Sequence, residues 1–205
     1  MSKFMSKSIM NTTLNYSPNF DVKKRKVKEI KFIIFHYTGM KKQNQAINRL
    51  TDTKSKVSSH YLIKNNGEIL TLVPDLYVAW HAGVSSWKNY KSINKYSIGI
   101  EISNPGHEYS YKNFSKKQIK SILKLSTYLR KKYKIKSNFI LGHSDIAPDR
   151  KKDPGEKFPW KYLSKNKIGH WHNLNEKKLF KKRNQLVDKQ EKKKFIKNLY
   201  KIGYS

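Results

Sequence analysis

The sequence predicts a mixed α/β domain, a central β-sheet flanked by helices, one of them long. Three observations carry this. Short β-rich runs recur at residues 31–38 (KFIIFHYT), 96–103 (YSIGIEIS) and 138–142 (NFILG). One long stretch, 115–133, has apolar residues at helical spacing. Regular β-α-β spacing is absent, so the strands and helices point to a mixed sheet with a helix packed on it.

Residues 1–28 are polar and weakly patterned, and read as a flexible lead-in. The run at 31–38 is apolar, aromatic and β-branched and stops at Gly39, as a buried strand does. Residues 43–50 place Ala46, Ile47 and Leu50 on one helical face. Residues 60–73 (HYLIKNNGEILTLV) are two strand-like runs around Asn66-Gly67, a strong hairpin signal. An aromatic loop rich in small residues follows at 77–87. The alternating run 96–103 reads as a central strand, ended by Pro105-Gly106.

The clearest helix spans 115–133. Ser115 and Gln118 form a capping box, and Ile119, Ile122, Leu123, Leu129 and Tyr133 form its apolar stripe. A short strand at 138–142 leads into a polar loop, 143–159, with three prolines. Residues 173–205 read as a Lys-rich helical extension with poorly separated faces.

Composition bounds the function. A chain of 205 residues is one domain with an appendage, and 13% aromatic content excludes wholesale disorder. No apolar run approaches the ~18 residues of a membrane span. There is no cysteine, which excludes disulfides, a thiol nucleophile and a lipidated Cys. The first 19 residues hold no apolar signal core, so the expectation is a cytoplasmic protein, with unrecognised export to the periplasm as the alternative.

The net charge of +31 suggests a polyanion partner. The excess is mostly Lys and spread over the whole chain, where a focused nucleic-acid stripe would be uneven. No specific nucleic acid is expected.

Three pieces carry chemistry. His36 sits at the end of an apolar run, where a lone histidine is commonly a hydrogen-bonded core residue. Glu101 lies in a strand among Ile98, Ile100 and Ile102, and a carboxylate there needs a cation, a metal or a raised pKa. The loop GHSDIAPDRKKDPG carries His143, Asp145, Asp149 and Asp153 among Arg150, Lys151 and Lys152. Two histidines and one carboxylate, without cysteine, suit zinc with one open position. Spacing alone leaves the ligand set open, because no HExxH helix fixes two ligands locally.

The segments FIIFHYT, SSHYLIKNNGEI, AWHAGVSSW, NKYSIGIEISNPG and GHSDIAPDRKKDPGEKFPW, in this order, resemble the type 2 N-acetylmuramoyl-L-alanine amidases. These are zinc peptidoglycan amidases of the AmpD and AmiD kind, distantly similar to peptidoglycan-recognition proteins. The resemblance covers residues 30–172 and implies a catalytic domain over 29–172. It implies His36, His143 and Asp153 as ligands of one zinc ion, Glu101 as the catalytic carboxylate and Lys151 as the lysine beside the substrate carbonyl. It implies Trp80, His81 and Ala82 as the muramoyl side of a groove. The expected partners are peptidoglycan fragments and muropeptides, bound by a monomer. The rival expectation is a non-catalytic basic protein that binds peptidoglycan or nucleic acid. His60 and Tyr61 are expected to pack around the site, and His107, Asp145, His170 and His172 to be structural or surface groups.

Overall fold

The computed structural model describes residues 10–204. The chain runs β1 (Thr13–Leu14), β2 (Phe20–Asp21), β3 (Phe32–Tyr37), α1 (Gln43–Thr51), β4 (Tyr61–Ile63), β5 (Ile69–Thr71), β6 (Val78–Ala79), β7 (Ser86–Trp87), β8 (Tyr90–Lys91), β9 (Ser97–Ile102), α2 (Lys116–Lys132), β10 (Ile140–Gly142), α3 (His143–Ile146), α4 (Trp160–Lys165), α5 (Glu176–Arg183) and α6 (Lys189–Ile202). Among the described residues, six strands form the main sheet in the order β1-β5-β4-β9-β3-β10. Its central strands β4, β9, β3 and β10 are parallel, and β5 pairs antiparallel with β4. The mixed α/β expectation holds.

Alternation decides which face each side chain takes. Ile33 and Phe35 of β3 and Ile98, Ile100 and Ile102 of β9 pack with Ile122, Leu125 and Leu129 of α2. Phe32 and Ile34 point to the opposite face and join Ala82, Trp87 and Ile146. His36 continues that second face, and the parallel register sets Glu101 directly beside it. The strand pattern therefore sends both groups away from the long helix, to the carboxyl ends of parallel strands, where open α/β sheets place ligands.

Local signals account for the elements. The β4–β5 hairpin turns at Asn66-Gly67, with Gly67 at φ +84°. The Ser115 hydroxyl accepts from the Gln118 N–H at 3.2 Å, and the Gln118 side chain accepts from the Ser115 N–H at 3.0 Å. Leu125 replaces the expected Ile119 and Leu123 among the fully buried residues of α2, and those two are half-buried.

The expectation for the start of the chain changes. Residues 10–28 are pinned to the domain. β1 pairs with β5 and β2 with β6. Asn19 donates to the carbonyls of Asp52 and Val57 at 2.8 and 2.9 Å. Arg25 is buried and donates to the carbonyls of Asp75 and Asn94 at 2.8 and 3.0 Å. The rest of the expected lead-in, residues 1–9, lies outside the described residues. At the other end, 173–204 forms two helices, α5 and α6, with the break at 184–188. The loop expected at 143–159 begins with the one-turn helix α3.

Candidate active site and metal centre

β3 delivers His36 at its penultimate position. β10 lies on the other side of β3 and ends at Gly142, so the next residue, His143, starts α3 beside His36. The loop then returns Asp153 to the pair. Its carbonyl accepts from the Ser144 N–H at 2.8 Å. A Cβ on Gly142 would lie 2.6 Å from Pro154, so only glycine permits this return.

The three side chains meet at their polar atoms. His36 Nδ1 and His143 Nδ1 lie 2.9 Å apart, and each is 3.0 Å from Asp153 Oδ2. All three residues are buried, and together they could hold a metal ion.

The surrounding hydrogen bonds fix where the protons sit. His143 Nε2 is 3.0 Å from the Ala82 carbonyl, which can only accept, so Nε2 carries hydrogen. The Ser97 hydroxyl donates to the Ile93 carbonyl at 2.8 Å and therefore accepts from His81 Nε2 at 3.0 Å. His81 Nδ1 is then the acceptor for His36 Nε2, also at 3.0 Å. Burial, then the neighbouring His143, lowers the His36 pKa to about 4, so the ring is neutral near pH 7. Neutral His36, protonated on Nε2, turns its Nδ1 lone pair toward a carboxylate oxygen. His143 has the same tautomer when neutral. Bare acceptors this close repel one another, and a cation at their centre relieves that repulsion. The donor set therefore fits a divalent ion.

Glu101 stands next to His36 across the sheet. Its Oε2 is sealed from solvent without a hydrogen-bond partner. Burial, with the Asp153 charge second, raises its pKa to about 8. Lys151 is half-buried on the same groove wall, and its charge opposes that rise. Lys152 lines the groove further out and is exposed. The groove is a cavity of about 860 Å³, whose other lining groups include Trp80, Tyr37, Arg49 and His107.

A model of the N-acetylmuramoyl-L-alanine amidase family matches residues 26–156, which include every group just described. The chain belongs to that family. The amidase AmiD of Escherichia coli (strain K12) is 39% identical over 154 residues, 69% of this chain and 55% of AmiD. The 1,6-anhydro-N-acetylmuramyl-L-alanine amidase AmpD of Haemophilus influenzae is 32% identical over 167 residues, 72% of this chain and 88% of AmpD. The chain thus spans about half the length of one relative and most of the other. The structure of E. coli AmiD in complex with the substrate anhydro-N-acetylmuramic acid-L-Ala-D-gamma-Glu-L-Lys aligns with a TM-score of 0.75 and 33% identity, covering 86% of this chain and 72% of AmiD.

One residue of this amidase-family site sits otherwise than the sequence suggests. Ala82 is fully buried in the second apolar cluster. It serves the site through its carbonyl, which takes hydrogen bonds from His143 and Arg150. His81 lines the groove next to Trp80 and is also bonded to His36, with its other nitrogen spent on Ser97. The room for its ring comes from Gly99, where a Cβ would lie 2.5 Å from the imidazole. Trp80 does line the groove, and its Nε1 donates to Asp21 of β2 at 2.8 Å. Arg150 escapes a sequence reading: it donates to the carbonyls of Ala82 and Val84 and ties segment 82–84 to the ligand loop. His60 is fully buried as a packing group. Its Nδ1 accepts from the Gly99 N–H at 3.0 Å.

His81→Ala should loosen the orientation and tautomer of His36. Loss of such a supporting hydrogen bond weakens metal binding by about 10–100-fold. Competition with a chromophoric chelator measures this, and Ser97→Ala should act in the same direction with a smaller effect.

Glu101 also makes a pH prediction for the metal-stripped protein. The unfolded chain releases this proton near 4.5, and the folded chain holds it to about 8. Between those values the folded state binds more protons, so stability falls as pH rises. His36, His60 and His81, all lowered by burial, act oppositely and cost stability as pH falls below 6.5. Comparison with Glu101→Gln cancels them. The wild type should lose stability relative to the variant between pH 4.5 and 8, by roughly 2–5 kcal/mol, read from urea unfolding in chelator.

Proposed function

We propose that this chain is a zinc-dependent N-acetylmuramoyl-L-alanine amidase. It hydrolyses the amide between the lactyl group of anhydro-N-acetylmuramic acid, or of ordinary N-acetylmuramic acid, and the L-alanine of the stem peptide, in peptidoglycan turnover and recycling. The observation that carries the reading is the convergence of two imidazole lone pairs and a carboxylate beside the unpartnered Glu101 oxygen, at the strand ends of a groove. The substrate class comes from the AmiD structure and the AmpD relative.

His36, His143 and Asp153 would hold the ion. Nitrogen and carboxylate donors without thiolate favour zinc over softer metals. Bound there, zinc supplies Lewis acidity, which polarises a carbonyl oxygen and acidifies water.

The chain's own groups do the rest. Glu101 takes the proton from the attacking water, and a carboxyl poised near neutrality by burial can then return it to the leaving nitrogen. The Lys151 ammonium faces the carbonyl oxygen as negative charge develops there, and one such donor is typically worth about 10²–10³ in turnover. The Trp80 face offers a stacking surface for the sugar ring. Arg49, Lys151 and Lys152 make the groove wall cationic, which suits a stem peptide bearing free carboxylates.

The test is digestion of anhydro-N-acetylmuramic acid-L-Ala-D-gamma-Glu-L-Lys with zinc-loaded protein, read by mass spectrometry. Release of the free tripeptide and intact anhydro sugar is expected. Cleavage at another amide, or none, overturns the reading.

A further inference from the structure

The catalytic groove is lined by nothing beyond residue 172, and in the two helices that follow only Leu179 and Leu199 are even half-buried. Among residues 173–202 no side chain is buried. Large apolar groups stand in solvent there: Phe180 is 72% exposed, Leu186 95%, Phe195 61% and Tyr200 62%. Surface residues of a domain seldom leave so many in one short stretch.

These groups are ordered in space. On α6, Phe195, Leu199 and Ile202 follow at helical spacing and form a stripe, with Ile196 and Tyr200 along one side. Lys193, Lys197 and Lys201, four residues apart, run along the opposite face. Residues 173–205 carry 11 basic and 3 acidic side chains, and ten of the basic ones are Lys. The free helix is held at one end. The Lys88 N–H donates to the Gly203 carbonyl at 2.7 Å, Tyr204 packs on Trp87, and its hydroxyl donates to Asp145 at 2.6 Å.

We propose that α5 and α6 form a peripheral membrane-docking element that lays its apolar stripe into the headgroup region of an anionic lipid bilayer. A helix with large apolar side chains on one face and lysines on the other lies in that interface, its lysine stems snorkelling toward phosphate. Charge selects this occupant over two others. A second copy would bring lysines against lysines. A nucleic acid would satisfy the lysines and leave Leu186, Ile196 and Ile202 in water. The anchor at Tyr204 then carries the groove to the membrane surface as part of the same body.

The test is co-sedimentation of the full chain with vesicles of phosphatidylcholine alone and of phosphatidylcholine mixed with phosphatidylglycerol, at low and high salt. Binding should require phosphatidylglycerol and weaken with salt. Each lysine near such a surface contributes about fivefold, so the triple variant Lys193→Glu, Lys197→Glu, Lys201→Glu should bind about 100-fold more weakly or worse. The variant Phe195→Ser, Tyr200→Ser, Ile202→Ser should lose about tenfold or more at unchanged charge. Both should keep the wild-type circular dichroism, melting temperature and hydrolysis of a soluble muropeptide. Vesicle binding is read without hydrolysis, so it stands or falls apart from the amidase reading. Equal binding to neutral vesicles, or an apolar variant that binds as the wild type does, overturns lipid docking. So does a dimer in sedimentation equilibrium that the apolar variant dissolves.

Discussion

Asp153→Asn is expected to abolish stem-peptide release, with turnover down by at least about 10³-fold, and to remove the zinc-induced rise in melting temperature. The substitution keeps the shape of the side chain and takes away its negative charge. In the wild type that charge sits 3.0 Å from both imidazoles. An amide there faces His36 and His143 as a weak neutral donor, and the remaining nitrogens hold a dication poorly. Binding that favours the folded state stabilises by about 2.7 kcal/mol at a ligand concentration of 100 Kd. Calorimetry with added zinc should therefore show a clear upward shift for the wild type and little for the variant. Chelator treatment of the wild type should reproduce the loss of activity, and zinc should restore it. Turnover that survives both treatments would end the metal assignment.

The ligand set also marks the limit of what local sequence shows. The strand carrying His36, the strand holding Glu101, the Asn66-Gly67 hairpin and the Ser115 cap are each written in a few adjacent residues, and the structure has them there. Alternation places His36 and Glu101 on faces of their strands. It says nothing about which strands are neighbours. The meeting of His36 with His143 depends on β3 lying between β9 and β10 in parallel register, a long-range pairing that no local period encodes. Family resemblance, with its ordered motifs, supplied that link.

Other features lack any such signal. The strands at 13–14 and 20–21 have two residues each, too short for periodicity, and polar groups such as Asn19 and Arg25 hold that segment by capping carbonyls. His81 lines the groove, and the missing side chain of Gly99 lets its ring turn onto His36, a contact that no local pattern announces. Arg150 looks like one more basic residue until its guanidinium is seen bridging Ala82 and Val84.

Glu101→Gln separates chemistry from metal binding. Glutamine is nearly the same size, fits the same gap beside His36 and cannot accept a proton. General acid–base groups typically contribute about 10²–10⁴ in rate, so kcat should fall by that range. Zinc affinity should stay close to wild type, because Glu101 is not one of the three groups that meet. KM should change little, since the groove wall around it is untouched. Removing the buried carboxyl also removes its cost in the metal-stripped protein at pH 8, so the variant should be the more stable of the two there. A gain in stability with a loss of turnover is the signature of a group kept for its chemistry. A variant that retains zinc and hydrolyses muropeptide within about tenfold of wild type would move the proton-transfer role to another side chain.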